Sequence, residues 1–312
     1  MENNYTIAIH GGAGTLLKEY MTTAKETAYK SALALAIEAG TAVLKSGGTA
    51  VDAVSASVVS MEDSTLFNAG KGSVFTATGT HEMDAAIMDG GDRSCGAVSL
   101  ISGIKNPILL ARDVMYKSEH VFLAGDGAME FAKNNHHELH DDLYFFDQLR
   151  YDQWQDIKGS DGFQLDHSIK KDSKFGTVGA VAMDCHGNIA AATSTGGMTN
   201  KKFGRVGDSP MTGAGNYANN RTCAVSCTGS GEFFIRGVVA YDVSCLMEYA
   251  GKSLQEACDI VIKERLIELG GDGGLIAVDA HGNIALPFNT AGMYRAHASA
   301  VKSQIVEIYG AE

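Results

Sequence analysis

The sequence predicts an α/β (α+β) protein in which helices and sheets are stacked in layers, with strands antiparallel at least in part. Two stretches of the first half place apolar residues at three- and four-residue steps, the mark of amphipathic helices. Short apolar runs punctuated by glycine read as strands in both halves of the chain. A hairpin pattern, Val181-Ala182-Met183-Asp184-Cys185-His186-Gly187-Asn188-Ile189-Ala190, returns 95 positions later as Ile276-Ala277-Val278-Asp279-Ala280-His281-Gly282-Asn283-Ile284-Ala285. Hairpins join antiparallel strands, and alternating sheet and helix segments bury their apolar faces by layering.

Along the chain, Thr6 to His10 reads as a buried strand that runs into a glycine turn, Gly11-Gly12-Ala13-Gly14. Ala28, Ala32, Leu35, Ala39 and Ala42 predict a helix over about 22–45 that Gly47-Gly48 ends, and the same logic predicts another over about 49–61. A glycine-containing loop follows from Glu62 to Gly72, then strands from His81 to Leu100 around a Gly90-Gly91 turn. From Asn134 to Lys174 the residues turn charged and polar with scattered aromatics and a Gly159-Ser160-Asp161-Gly162 tract, which predicts a long linker over about 134–176. Phe175-Gly176-Thr177 then opens a hairpin, Val178 to Met183 and Ile189 to Thr195. A strand at Ala224 to Thr228, helices at about 232–249 and 253–269, and the second hairpin complete the chain.

Composition narrows the function. With 312 residues, 45% hydrophobic and 20% charged, the chain has apolar surface enough for a sizeable core, in one domain or two joined halves. A net charge of -12 opposes binding to nucleic acid, which needs clustered Lys and Arg to displace counterions. No run reaches membrane-spanning length, and Met1 to Gly14 has neither the basic nor the apolar part of a signal peptide, so the expected location is cytoplasmic. The six cysteines, Cys95, Cys185, Cys223, Cys227, Cys245 and Cys258, then read as reduced small residues without zinc spacing.

Thr177 stands where a polar linker meets the first residue of a buried strand, at the rim of a sheet. A threonine hydroxyl is a poor nucleophile without a base, and a threonine freed at an N-terminus carries one, its α-amino group. Cleavage before Thr177 would create that catalyst, and Gly176, lacking Cβ, lets the hydroxyl approach the scissile carbonyl. A Gly-Thr pair by itself also describes an ordinary strand threonine.

Further segments decide between these readings: Ile9-His10-Gly11-Gly12-Ala13-Gly14, Phe67-Asn68-Ala69-Gly70, Met83-Asp84-Ala85, Gly176-Thr177-Val178-Gly179-Ala180-Val181, Thr193-Ser194-Thr195-Gly196-Gly197, Gly204-Arg205-Val206-Gly207-Asp208-Ser209-Pro210 and Thr228-Gly229-Ser230-Gly231-Glu232. Through them the chain resembles, nearly end to end, the plant-type asparaginase and isoaspartyl peptidase family of N-terminal-nucleophile hydrolases. The resemblance implies a four-layer αββα sandwich in which residues 1–176 become an α subunit and 177–312 a β subunit of one domain. It also implies a dimer of such processed units acting on small asparagine or β-aspartyl dipeptide substrates, without a catalytic cofactor.

Each site residue carried over has matching chemistry. Thr177 is the implied nucleophile, and Thr195 either holds its side chain in the attacking rotamer or simply packs in the second hairpin strand. Arg205 grips the substrate α-carboxylate and Asp208 its α-ammonium, although an Arg-Asp pair is also a common surface ion pair. Thr228 and the Gly229 N–H are the implied oxyanion hole, with Gly231 shaping their loop or equally making a plain turn. Asn68 neighbours Thr177 or serves as a plain turn residue. The carbonyls of Met61, Glu62, Ser64, Phe67, Ala69 and Lys71 are implied ligands of a structural sodium ion. Within the family the alternative substrate is glycosylated asparagine, and outside it an uncleaved relative that only binds small amino acids. His136, His137, Glu138 and His140 include metal-ligand spacing but read as solvated groups of the linker. The Gly11 to Gly14 segment lacks the Lys and Ser or Thr of a phosphate loop and reads as structural.

Overall fold

Alternate residues of the central strands enter two different apolar cores, so both faces of the main sheet are covered. The computed structural model describes residues 4–14, 16–159 and 176–310. One sheet holds β1 (Thr6–Gly14), β2 (Met83–Asp89), β3 (Cys95–Ile101), β4 (Phe122–Ala124), β5 (Val178–Met183) and β6 (Ile189–Thr195). The other holds β7 (Asn216–Ala218), β8 (Cys223–Gly229), β9 (Gly273–Asp279) and β10 (Ile284–Ala285); β11 (Gly292–Ser299) and β12 (Ile305–Glu307) return to the first. The large sheet runs β12-β11-β1-β5-β6-β2-β3-β4 and the small one β10-β9-β8-β7. Neighbours are antiparallel except β3 with β4.

Ile7, Ile9, Val178 and Ala180 point to a core shared with α1 (Thr23–Lys45), α2 (Ala50–Glu62) and α3 (Pro107–Lys117). Ala8, Val181 and Met183 point the other way, to a core shared with the small sheet and the helices behind it. The layers are therefore helix, sheet, sheet, helix, as the four-layer expectation has it. Thr22 and Thr49 start α1 and α2 by accepting hydrogen bonds from the Lys25 and Asp52 amides.

The two expected hairpins are present, and their turns match in detail. Asp184 Oδ1 accepts from the His186 and Asn188 amides at 2.9 and 3.0 Å; Asp279 Oδ1 accepts from those of His281 and Asn283, both at 2.9 Å. Gly187 and Gly282 complete the turns at φ 79° and 82°, a left-handed conformation suited to glycine.

Other expectations need correcting. The glycines after His10 do not turn the chain: β1 continues to Gly14 through a bulge between His10 and Gly12 opposite β11. The expected linker is partly helical. After α4 (Gly125–Asn134) come α5 (Asp142–Phe145) and α6 (Gln148–Ile157), and the Trp154 ring stacks on Phe75 at 5.6 Å. Asp141 and Asp147 cap these short helices, and burial of Phe145 and Trp154 supplies what their weak periodicity lacks. The remainder of the linker, residues 160–175 including Phe175, lies outside the described residues. The helix expected over 232–249 is two, α7 (Gly231–Gly237) and α8 (Val239–Ala250), divided at Val238, whose φ is 48°. The last is α9 (Leu254–Ile260), a π-helical stretch Val261–Arg265, and α10 (Leu266–Glu268).

His136 to His140 follow α4. His137 Nε2 meets Asp113 at 2.9 Å while the His140 ring stacks on Tyr144 at 4.3 Å, so they serve different neighbours. The six thiols are free, three of them buried and three half-buried. Among the described residues no helix is long and apolar enough to cross a membrane.

Candidate active site

Thr177 directly precedes β5, a central strand of the large sheet. It is buried, and three side chains reach its peptide unit and its hydroxyl. The His10 Nδ1–H donates to the Thr177 carbonyl at 3.1 Å. Ser209 Oγ lies 3.3 Å from Thr177 Oγ1. Thr195 Oγ1 donates to the carbonyl of Gly176, the residue before, at 3.5 Å, and accepts from the Gly197 amide at 3.1 Å. The hydroxyl found against that of Thr177 is thus Ser209's, where the sequence reading had placed Thr195.

His10 is fixed by what surrounds it. Its Nε2 accepts from Ser226 Oγ at 2.9 Å, and Ser226 is 2.7 Å from Thr193 Oγ1. Burial pushes its pKa down to about 3, so the ring is neutral, and its acceptor on Thr177 assigns the proton to Nδ1. Gly179 makes room for this layer, since a Cβ there would overlap Ser226 Oγ and His10 Nε2.

Asn68 clips the adjoining turn. Its Nδ2 donates to the Gly197 carbonyl at 2.7 Å, its Oδ1 accepts from the Val74 amide at 3.0 Å, and its carbonyl accepts from the Gly196 amide. It is bound as a turn residue, and the turn it binds carries Thr195.

Arg205, Asp208, Gly231 and Glu232 come together. Glu232 engages Arg205 side-on, with Nε–Oε1 at 2.8 Å and Nη2–Oε2 at 3.0 Å, which leaves the Nη1 end of the fork outside this pair. A Cβ on Gly231 would stand 2.8 Å from Asp208 Oδ1 and 3.0 Å from Arg205 Nη2, so its missing side chain is the space between them. Asp208 is 3% exposed, and its Oδ2 has no hydrogen-bond partner among the described residues. Burial lifts its pKa to about 7, against the opposing pull of Arg205. Beneath, the buried Lys201 Nζ donates to the Arg205 carbonyl at 3.3 Å and pairs with Glu82 at 3.3 Å. A cavity of about 490 Å³ opens beside Arg205 and Glu232, walled by Met198 and Phe203.

Thr228 and Gly229 end β8. Thr228 Oγ1 accepts from the Ala13 amide at 3.3 Å, which leaves its own hydrogen to donate. Gly229 has φ 151°, and a Cβ there would stand 2.7 Å from Gly273 Cα, so glycine alone fits.

In the loop after α2, the Ser64 and Thr65 carbonyl oxygens each lie 3.0 Å from where a Cβ of Gly72 would stand, and that of Phe67 lies closer still. This cluster of main-chain oxygens suits a hard cation. The carbonyls of Met61 and Ala69 already accept from the Ser64 and Gly72 amides, which does not exclude a second acceptor bond.

His10, Ser209, Glu232 and Lys201 were not picked out from the sequence. His10, Ser209 and Glu232 lie inside segments that were, and for Ser209 and Glu232 the signal that could have flagged them is adjacency to Asp208 and Gly231.

The family described as Asparaginase matches residues 3–308 of this chain. The chain belongs to that family. It is an enzyme of this type, with the fold expected of it. It is similar to the isoaspartyl peptidase of Escherichia coli strain K12, 51% identical over 97% of this chain and 95% of that protein. Against a probable isoaspartyl peptidase/L-asparaginase 2 of Arabidopsis thaliana it is 42% identical, over 95% of this chain and 96% of the plant protein. Against the isoaspartyl peptidase/L-asparaginase of Homo sapiens the identity is 43%, covering 90% and 88%.

Proposed function

We propose that the chain cuts itself between Gly176 and Thr177 and then hydrolyses the side-chain amide of asparagine and the isopeptide bond of β-aspartyl dipeptides. The observation that carries this reading is a buried threonine whose hydroxyl meets Ser209 and whose preceding carbonyl meets Thr195, with a buried acceptor for an ammonium on the residue before Ser209. That acceptor is the unpartnered Oδ2 of Asp208 beside the Arg205 fork. The names of the relatives support the substrate class.

In the first reaction the Thr177 hydroxyl attacks the Gly176 carbonyl carbon, the peptide C–N bond breaks, and water hydrolyses the resulting ester. Gly176 is left as a carboxylate and Thr177 with a free α-amino group. In the second, that amino group takes the Thr177 hydroxyl proton as the oxygen attacks the substrate's β-carbonyl. The Thr228 hydroxyl and the Gly229 N–H receive the oxyanion, Arg205 holds the α-carboxylate through the end that Glu232 leaves, and Asp208 holds the α-ammonium. Ammonia or an amine departs with the proton, and water releases aspartate from the β-aspartyl ester. Nucleophile and base both come from Thr177, so the chemistry needs no cofactor. Main-chain carbonyls of Met61, Glu62, Ser64, Phe67, Ala69 and Lys71 would hold a sodium ion that braces the loop beneath Asn68. The working form in this reading is a cytoplasmic dimer of cleaved units.

The test is intact mass of the purified protein over several days at neutral pH, with aspartate release from both substrates. Wild type should give two chains divided at Thr177, and Thr177→Ala one chain without activity. A wild type that stays whole and inert would leave only a binder of small amino acids.

A further inference from the structure

The base assigned to turnover does not exist when the chain first cuts itself. Before cleavage the Thr177 nitrogen is an amide, which is not basic, yet the hydroxyl proton must leave and the departing nitrogen must gain one. Some other group has to carry a proton between them. This question rests on the self-cleavage reading above and goes beyond it.

The polar groups around Thr177 can be taken in turn. His10 is turned to the Thr177 carbonyl and to Ser226, with both ring nitrogens engaged. Thr195 faces the Gly176 carbonyl, where its hydroxyl draws charge onto the oxygen as the carbon is attacked. Thr228 receives the Ala13 amide. Among the described residues the group in contact with Thr177 Oγ1 is Ser209 Oγ, at 3.3 Å, with both residues buried.

Ser209 is also held rigidly. Pro210 follows it, with φ restrained by its ring, and Asp208 precedes it, its carbonyl bound by the Met211 amide at 2.8 Å. Gly215 packs so tightly behind that a Cβ there would stand 2.7 Å from Ser209 Cα. The serine hydroxyl rotates on a backbone that cannot retreat.

We propose that Ser209 is a catalytic residue of self-cleavage, a proton shuttle from the Thr177 hydroxyl to the Thr177 nitrogen. As the bond from Oγ1 to the Gly176 carbonyl carbon forms, the Oγ1 proton passes to Ser209 Oγ. The proton Ser209 already carries passes to the nitrogen, and the C–N bond breaks. The products are an ester and a free amine, and Ser209 ends as it began. The nitrogen and Oγ1 of one threonine are only three bonds apart, so the shuttle proposed has a short span to cover from the oxygen that Ser209 Oγ meets at 3.3 Å. A hydroxyl that gives up one proton as it takes another leaves no full charge on Ser209, which suits a pocket where an isolated charge is strongly disfavoured. Once the α-amino group is free it becomes the better base, and Ser209 loses its part in proton transfer.

The experiment follows self-cleavage of full-length wild type, Ser209→Ala and Ser209→Thr by intact mass, in H₂O and in H₂O/D₂O mixtures, with asparagine turnover measured on whatever has been cut. Ser209→Ala should slow cleavage on the order of 100-fold, and by at least ten times more than it slows turnover. Ser209→Thr should recover most of the cleavage rate, and the wild-type rate should fall along a curve with deuterium fraction, as two protons in flight require. Equal cleavage by Ser209→Ala, or equal losses in cleavage and turnover, would overturn the shuttle. A misfolded Ser209→Ala leaves the wild-type isotope curve to decide, a straight line counting against the proposal. If wild type is never cut, the self-cleavage reading itself falls; if it is cut and only the serine variants disagree, the shuttle alone does.

Discussion

Asp208 is held in the free protein at a cost that a substrate ammonium would relieve. Burial raises its pKa from 3.8 to about 7. Between those values the folded state holds more protons than the unfolded one, so the stability present below about 3.8 is lost as pH rises through about 7. Glu62 is buried with its pKa lifted to about 8, and it acts in the same direction. Asp208→Asn removes the first of these penalties. Its melting temperature should gain on wild type as pH goes from about 5 to about 8, while kcat/KM for asparagine falls on the order of 100-fold, about 2.7 kcal/mol. For wild type the same titration makes KM fall as pH rises through about 7, since only the carboxylate pairs with an ammonium. Parallel melting curves for the two proteins at every pH would remove Asp208 as the titrating group.

The element that sets the site's depth is β5, which brings Thr177 up to β8 with no side chain between them at Gly179. Ser226 of β8 and His10 of β1 both occupy the space a Cβ would need, and the Ala192 carbonyl lies 3.0 Å from that point on the third side. Gly179→Ala must therefore part the two sheets or turn His10 off the Thr177 carbonyl. The expected loss is about 1–3 kcal/mol, seen as a fall in melting temperature of several degrees, with slower self-cleavage. An alanine variant as stable and as quickly cut as wild type would show that His10 does not hold the nucleophile's peptide unit.

Across the whole molecule, cleavage at Thr177 would divide the chain but not the fold. β1, from before the cut, lies between β11 and β5, from after it, and β2 pairs with β6 over six residues. Separating the halves means breaking the middle of the large sheet and opening both cores. The two fragments should co-elute in native chromatography and part only in denaturant, as read by denaturing mass of the native peak. Elution of either fragment alone would contradict the interleaved sheet. The same measurement gives the mass of the assembly, which tests the proposed dimer.

Much of this protein was legible residue by residue. α1 and α2 follow from helical spacing and from Thr22 and Thr49 at their starts, and the two hairpins from an Asp, a Gly and an Asn at matching positions in each turn. Thr177, Arg205, Asp208, Thr228 and Gly229 were named through segments whose resemblance to a family needs no geometry. What stayed hidden depends on partners far away in the chain. α5 and α6 have little period of their own and are held by Phe75 and by burial, and the glycines after His10 continue a strand because β11 lies beside them. His10 reaches Thr177 across 167 residues and Ser226 across 216, and Ser209 meets the nucleophile across 32. Caps, turns and periodicity act over a few residues, so sequence alone determined them. Which hydroxyl lies against Thr177 depends on the order of strands in two stacked sheets, and only the tertiary structure decided that.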